Sequence, residues 1–227
     1  EQTGRVLSAM AQYRQVKNAP STLPATPYQP DKKLLQNFTK ILEKSKQLGE
    51  YETRPLLEAY GIPVVPGKLA TSAEEAATAA EQIGFPVVMK IVSPDILHKS
   101  DKGGILLNLS DSNAVMDGYR QMLSQVIKAA PDARIGGVLV EAMAPKGQEV
   151  IIGMRRDPQF GPLMMFGFGG IYVELFSDVA FRIAPLSVTD AEAMLNETRA
   201  GRLLKGLRGA QPADREALIE TLIRLGQ

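Results

Sequence analysis

Hydrophobic and polar residues follow one another along the chain with two different periods. Between residues 31 and 60, between 72 and 84 and between 111 and 130, apolar residues recur every three or four positions, which predicts amphipathic helices. Short apolar runs predict strands, and these lie at 62–65, 86–90, 105–109, 136–143, 149–154, 161–166 and 179–185. Because helices and strands alternate in the first half and strands dominate the second, the pattern favours an α+β, two-layer α/β architecture.

Two helix starts in the first half carry local signals. Asp31 precedes an apolar stripe and is predicted to be the N-cap of the first helix. Thr53 is predicted to cap the second helix, with Pro55 in its first turn.

The clearest boundary is the proline-rich segment NAPSTLPATPYQP at residues 18–30, whose composition is typical of an extended linker. We therefore expect residues 1–30 to be the tail of a preceding domain plus this linker, and residues 31–60 to be a helical lead-in. The first residue is Glu1 rather than Met and the last, Gln227, lies within a helical pattern, so we expect a piece of a longer polypeptide.

Composition and charge exclude several classes of function. The formal net charge is +1, so no overall field favours nucleic acid or an anionic membrane as partner. No apolar run reaches the roughly 20 residues that a membrane span requires. The chain has no cysteine, which excludes disulfides and thiolate metal sites and is consistent with a reducing cytoplasm.

The strongest candidate for chemistry is the segment FPVVMKIVSPDILHKSDKGG, residues 85–104. Its apolar run ends on Lys90, and a polar loop with the single histidine, His98, closes on Gly103 and Gly104. A lysine charge and loop N–H groups are suited to phosphate oxygens. From these residues alone, a solvated lysine at a strand end and a surface histidine remain open alternatives.

Three ordered segments carry a resemblance to a known family: residues 85–104, VLVEAMAPKGQEVIIGMRRDPQFGP at 138–162, and FGFGGIYVELFSDVAFRIAPL at 166–186. Together they resemble the ATP-grasp domain of the ADP-forming (NDP-forming) acyl-CoA synthetases, the acetate–CoA ligases related to the succinyl-CoA synthetase β subunit. The resemblance extends from about residue 51 to 227. It implies an ATP-grasp fold with two subdomains that clasp ATP, a small lid subdomain at 61–140 and a C-terminally incomplete second subdomain at 141–227.

The resemblance implies a role for each matching residue. Lys90 would contact nucleotide phosphates, and Glu149 would accept hydrogen bonds from the ribose. His98 would be a phosphohistidine that exchanges phosphate with the nucleotide. The remaining expected contacts are Glu141 with the backbone of Ala142 and Met143 at the adenine, the backbone of Gly103 and Gly104 at the phosphates, and Arg182 at phosphate, for which an exposed strand arginine is an equal alternative.

The implied reaction is acyl-CoA + ADP + phosphate = carboxylate + CoA + ATP, with ATP or ADP and Mg²⁺ as cofactors. The family's metal motif, similar to Asp-Ile-Asn-Pro, does not occur before Gln227, so the Mg²⁺ ligands are expected mostly beyond that residue. The implied partners are CoA-binding and ligase domains, in the same polypeptide or a partner subunit, without nucleic acid or membrane, in the cytoplasm. The alternatives are a non-catalytic regulatory region of a fused protein lysine acetyltransferase and a plain interaction domain.

Overall fold

The structure is a computed structural model that describes residues 26–44, 48–170, 178–206 and 211–227. The expected tail of a preceding domain and most of the proline-rich linker lie outside these residues. The described chain divides into two compact units, Tyr28–Gly147 and a second one built from Gln148–Gln227. Each unit has its own sheet and its own apolar core.

The described residues of the first unit form four helices and four strands. In chain order they are α1 (Lys32–Lys44), α2 (Glu50–Ala59), β1 (Gly67–Ala70), α3 (Ala73–Ile83), β2 (Val87–Val92), β3 (Ile105–Leu109), α4 (Ser112–Ala129) and β4 (Gly137–Ala142). A short 3₁₀ turn, Ser100–Lys102, lies between β2 and β3.

The four strands form one antiparallel sheet in the order β1-β4-β2-β3. Side chains alternate between its faces, and the face that carries Met89, Ile91 and Val140 packs against α3 and α4 as the core of the unit. The opposite face of the same strands carries Lys90 and Glu141. The alternation that builds the core therefore also places these two polar residues together on the other side.

Of the two helix starts predicted from capping residues, one is confirmed and one is wrong. Asp31 accepts hydrogen bonds from the N–H groups of the first turn of α1, which confirms the predicted cap. The predicted start of α2 at Thr53 is wrong, because the helix begins at Glu50 after Gly49, whose N–H donates to Glu52 Oε2 at 2.6 Å. Glu50 and Arg54 are consequently four residues apart on one face of α2.

The predicted strand at 62–65 is also wrong. The first strand is β1, Gly67–Ala70, which pairs with β4. Pro63 lies within the predicted run and Pro66 follows it, and since proline has no N–H to donate, this stretch is a poor partner for a sheet.

The first unit differs from the predicted subdomain boundaries at both ends. It includes the helical lead-in at 31–60 and continues to Gly147 rather than ending at residue 140. Glu141 and Ala142 belong to β4, where they pair with Val88 and Val87. A division between 140 and 141 would cut through a central strand of the sheet.

In the part of the chain that the structure describes, the second unit is a three-stranded antiparallel sheet with helices. Its elements are β5 (Val150–Asp157), β6 (Gly161–Phe168), β7 (Val179–Ile183), α5 (Val188–Glu197), α6 (Arg199–Leu203) and α7 (Arg215–Leu225), with the strands in the order β5-β6-β7. Met164 and Phe166 of β6 pack against helix residues such as Met194 and Leu222 in the core. In the described parts of both units, no helix has the length and apolar character needed to cross a membrane.

Candidate functional site

Lys90 and Glu141 meet on the side of the first sheet that faces away from α3 and α4. Lys90 Nζ lies 2.7 Å from Glu141 Oε2, and the strands that carry them, β2 and β4, are direct neighbours. Glu141 Oε2 accepts no hydrogen bond with suitable geometry from the described residues, so its contact with Lys90 is an ion pair without a hydrogen bond. The sequence-based expectation that Lys90 and Glu141 belong to two different subdomains is therefore corrected: both lie in one sheet.

Arg54 of α2 completes the surroundings of Glu141. Its Nη1 donates to Glu141 Oε1 and its Nη2 donates to the carbonyl oxygen of Val65. Only 2% of the Glu141 side chain is exposed, and a buried carboxylate is tolerated only when other charges and hydrogen bonds compensate it. Gly67 makes room for this pair, since a Cβ there would lie 2.9 Å from Glu141 Cγ and 3.3 Å from the guanidinium carbon of Arg54.

Glu50 extends the cluster toward solvent. Its Oε1 accepts from Lys90 Nζ at 2.5 Å and its Oε2 accepts from Lys99 Nζ at 2.8 Å. The two oxygens of one carboxylate thus bridge two ammonium groups, one from β2 and one from the loop that follows it. With Arg54 and Glu141 this gives three positive and two negative side chains in one connected network, which we call the charge network.

The charge network shifts two pKa values in opposite directions. Burial alone would raise the pKa of Glu50, but hydrogen bonds and positive charge from Lys90 and Lys99 outweigh it and hold that pKa below its ordinary value. Burial alone would lower the pKa of Lys90, but Glu141 and Glu50 outweigh it and raise that pKa above its ordinary value. Both groups are therefore charged near neutral pH.

The loop after β2 is held on both sides of its tip. Before the tip, Asp95 accepts from the Nε, Nη2 and backbone N–H of Arg134 at 2.7–2.9 Å, and Ile96 is buried in the core. After the tip, Lys99 is bound to Glu50. His98 is exposed between these two anchors and next to Leu97, which is 77% exposed.

Gly103 and Gly104 close the loop for structural reasons. Gly103 has φ +69°, a conformation that favours glycine, and a Cβ on Gly104 would lie 2.4 Å from Ile91 Cγ2. Their N–H groups donate to the carbonyl oxygens of Ser100 at 3.2 Å and Lys99 at 2.8 Å. The expectation that these N–H groups are free to wrap phosphate is thus corrected, because both already have acceptors.

A cavity of about 590 Å³ borders the charge network within the first unit. Its lining comes from the start of α2, including Glu50, and from the loop after β2, including Lys99 and Leu97. Arg134 and Asp95 contribute further polar groups. The exposed side of the charge network is therefore open to a ligand or to water.

The end of β4 was expected to offer free backbone groups to adenine. The N–H of Ala142 donates to the carbonyl oxygen of Pro66 at 2.9 Å, and that of Met143 donates to the carbonyl oxygen of Pro86 at 3.2 Å. The expectation of free N–H groups is thus wrong for these two residues. An adenine contact at Glu141, Ala142 and Met143 stays a prediction.

Glu149 and Arg182 belong to the second unit, where Glu149 precedes one edge strand, β5, and Arg182 lies on the other edge strand, β7. Glu149 is exposed just before β5, and its carbonyl oxygen accepts from Gly169 N–H at 3.0 Å. Arg182 lies on β7, donates to Glu197 of α5, and donates to the carbonyl oxygen of Phe181 at 2.8 Å. Their ribose and phosphate contacts stay predictions.

Three members of the charge network were missed by sequence reasoning: Glu50, Arg54 and Lys99. Lys99 could have been considered, since it follows His98 directly. Arg54 is 87 positions from Glu141 and Glu50 is 40 positions from Lys90, so no local spacing links them.

Metal binding was also considered. Across residues 26–44, 48–170, 178–206 and 211–227, no group of three or more histidine or acidic side chains is arranged to hold a metal ion. The expectation that the Mg²⁺ ligands lie mostly beyond Gln227 stays a prediction.

Comparison with known proteins defines the class of this protein. Residues 40–227 match the ATP-grasp domain family, so the chain belongs to that family. Among its relatives, an ADP-forming acetate–CoA ligase I of Archaeoglobus fulgidus is 49% identical over 188 residues, 83% of this chain and 27% of that protein. The β subunit of ADP-forming acetate–CoA ligase I of Pyrococcus furiosus is 45% identical over 191 residues, 82% of each.

Solved structures agree with these relatives. A dinucleotide-forming acetyl-coenzyme A synthetase 1 of Candidatus Korarchaeum cryptofilum, in complex with coenzyme A, Ca-AMPCP and HgCl⁺, has a TM-score of 0.80 at 49% identity and 84% coverage of both chains. A second structure of that synthetase, with coenzyme A and Mg-AMPPCP, has a TM-score of 0.71 at 46% identity, covers 86% of this chain and 83% of that one, and has its phosphohistidine segment pointing towards the nucleotide binding site. This chain is thus an ATP-grasp domain of the ADP-forming acyl-CoA synthetase type, which confirms the recognised family and fold.

Proposed function

We propose that this chain binds ADP and ATP as the nucleotide-binding part of an ADP-forming acid–CoA ligase. The chain spans 27% of the A. fulgidus ligase and 82% of the P. furiosus β subunit, so the complete reaction would require the CoA-binding and ligase domains of the same polypeptide or of a partner subunit. The similarity to ligases supports this function over the regulatory region of an acetyltransferase.

The observation that carries the proposal is the convergence of Lys90 and Lys99 on the two oxygens of one carboxylate. A pair of ammonium groups that can hold a carboxylate between them has the chemistry to hold oxygens of a polyphosphate. The cavity beside Lys99 gives access to this position.

His98 is proposed to carry the phosphoryl group between the nucleotide and the acyl-transfer site. In the ATP-forming direction, a nitrogen–phosphorus bond at His98 would break while an oxygen of the ADP β-phosphate forms the new bond to phosphorus. The neutral imidazole that remains is a good acceptor for the reverse reaction. Its exposure at the tip of an anchored loop supports this role, because the imidazole can reach a group outside the loop.

Mg²⁺ would supply charge neutralisation on the phosphates, and the synthetase bound to Mg-AMPPCP supports its presence with the nucleotide. The location in the cytoplasm also stays a prediction, based on the absence of cysteine.

Calorimetric titration with ADP tests nucleotide binding. We expect Lys90→Ala to weaken ADP binding by at least tenfold, because a phosphate contact to a cation is lost. Lys68→Ala is the matched control, since it removes the same charge from β1, where Lys68 donates to Gln82 rather than to the charge network. Equal ADP affinity in wild type and Lys90→Ala would contradict the proposal.

Labelling tests the role of His98. The full-length enzyme is incubated with Mg²⁺ and ATP carrying a labelled γ-phosphate, and acid-labile label on the protein is measured. We expect His98→Ala to abolish the acid-labile label on the protein and to reduce turnover at least a hundredfold. Leu97→Ala, at the neighbouring exposed position, should retain both the label and the turnover. Unchanged labelling and turnover in His98→Ala would exclude His98 as a carrier.

A further inference from the structure

Glu50 occupies the position at which the proposed function places phosphate. Its carboxylate contacts both Lys90 and Lys99, and the proposal assigns no role to it. Of the two acids in the charge network, Glu141 is buried and held by Arg54, whereas 41% of the Glu50 side chain is exposed. Only the Glu50 carboxylate can leave the two lysines without stranding a charge inside the protein.

The surroundings of Glu50 allow this movement. Glu50 is the first residue of α2 and lines the cavity of about 590 Å³, so its side chain can rotate into open space. Once the carboxylate has left, Lys99 has no other acidic partner in the described residues, and Lys90 retains Glu141. The departure thus uncovers positive charge beside the cavity.

We propose that Glu50 is an internal competitor of the nucleotide phosphates: it holds Lys90 and Lys99 in the ligand-free protein and is displaced when a polyphosphate binds. The inference rests on the proposed nucleotide function and adds to it a residue that sets affinity for phosphate-bearing ligands. A ligand whose site is free only part of the time binds with an affinity reduced by that fraction. Glu50 therefore weakens the binding of ADP and of inorganic pyrophosphate, and has no effect on adenosine, which has no phosphate to compete.

Titration of Glu50→Gln tests the competition. The purified full-length protein is titrated with ADP, pyrophosphate and adenosine in the presence of EDTA, so that no divalent cation alters the ligand charge. If Glu50 occupies the lysines about nine-tenths of the time, removing its charge tightens ADP and pyrophosphate binding about tenfold, which corresponds to about 1.4 kcal/mol. Adenosine binding should not change.

Glu52→Gln is the matched control. It removes the same charge two residues away on the same helix and at the same cavity, but Glu52 accepts from the Gly49 N–H and forms no ion pair with a lysine among the residues that the structure describes. A general change in electrostatic field would tighten binding equally in both variants, whereas direct competition tightens it only in Glu50→Gln.

The outcomes separate the inference from the proposed function. If wild type binds ADP through Lys90 but Glu50→Gln binds ADP no tighter than wild type or Glu52→Gln, the competitor role is refuted and nucleotide binding stands. If neither ADP nor pyrophosphate binds to folded wild type or Glu50→Gln, both fail. Circular dichroism of each variant establishes that it is folded.

Discussion

Removing Arg54 should destabilise the first unit, because the buried carboxylate of Glu141 would lose one of its two cationic partners. Arg54→Met keeps most of the side-chain volume at this position of α2 but leaves Glu141 with Lys90 as its remaining cationic partner. At an effective dielectric constant of about 20, two unit charges about 4 Å apart interact by about 4 kcal/mol, and breaking a buried pair typically costs about 3–5 kcal/mol. Since the contact to Lys90 at 2.7 Å persists, we expect a loss of about 2–4 kcal/mol.

Amide hydrogen exchange measured by mass spectrometry is the suitable assay, because it reports the opening free energy of each segment and therefore of the first unit separately. Peptides that contain β4 should show the loss. Arg120→Met is the control, since the exposed pairs that Arg120 forms with Glu74 at 3.6 Å and with Asp117 at 3.3 Å should each contribute less than about 1 kcal/mol.

A double variant sharpens this test. Arg54→Met combined with Glu141→Leu removes the orphaned charge together with its partner, and replacing a buried pair by apolar residues is often neutral. We expect the double variant to recover most of the lost opening free energy. If Arg54→Met changed the opening free energy by less than about 0.5 kcal/mol, or if the double variant were no better than the single one, the carboxylate would not be the buried charge described above.

Two further predictions concern the loop that carries His98. Gly104→Ala should lower the free energy of unfolding, measured by urea titration, by about 1–3 kcal/mol through overpacking against Ile91. Gly147→Ala, with no atom within 4 Å of the new Cβ, should be neutral or slightly stabilising in the same titration. Equal losses in the two variants would contradict the packing argument. The pKa of Asp95 is lowered to about 2, chiefly by its side-chain hydrogen bonds to Arg134, so its stabilising effect is complete above the ordinary value of 3.8 and is lost as pH falls through about 2. Carboxyl ¹³C NMR should show this titration moving toward 3.8 in Arg134→Gln, and an unmoved midpoint would contradict the assigned cause.

The sheet of the first unit was largely predictable because its signals are local. The apolar run at 86–90 corresponds to β2, Val87–Val92. The aspartate and serine at 111–112 correspond to the start of α4, which Asp111 caps by accepting from Ala114 N–H at 2.9 Å. Each of these signals depends on residues within one or two turns of one another. Local spacing also placed Lys90 at a strand that leads into a polar loop.

The charge network was only partly predictable because its contacts are long-range. Which lysine of the loop turns inward depends on the 3₁₀ turn at Ser100–Lys102 and on the tight packing of Gly104, and the sequence alone treats Lys99 and Lys102 alike. Glu50 was missed because the start of α2 was predicted at Thr53, which put the acid outside the helix. The register between β2 and β4, which brings Lys90 to Glu141, is also long-range and cannot be predicted from local sequence.

Pro55 removes one backbone hydrogen bond from the first turn of α2. Without an N–H at that position, the helix lacks the hydrogen bond that residue 55 would donate to the carbonyl oxygen of Tyr51. The turn that bears Glu50 thus has one helical hydrogen bond fewer, and the ion pairs of Glu50 with Lys90 and of Arg54 with Glu141 connect it to the sheet. Added salt screens partly exposed charges. Higher ionic strength should therefore make the first turn of this ten-residue helix less ordered and leave its last turn unchanged.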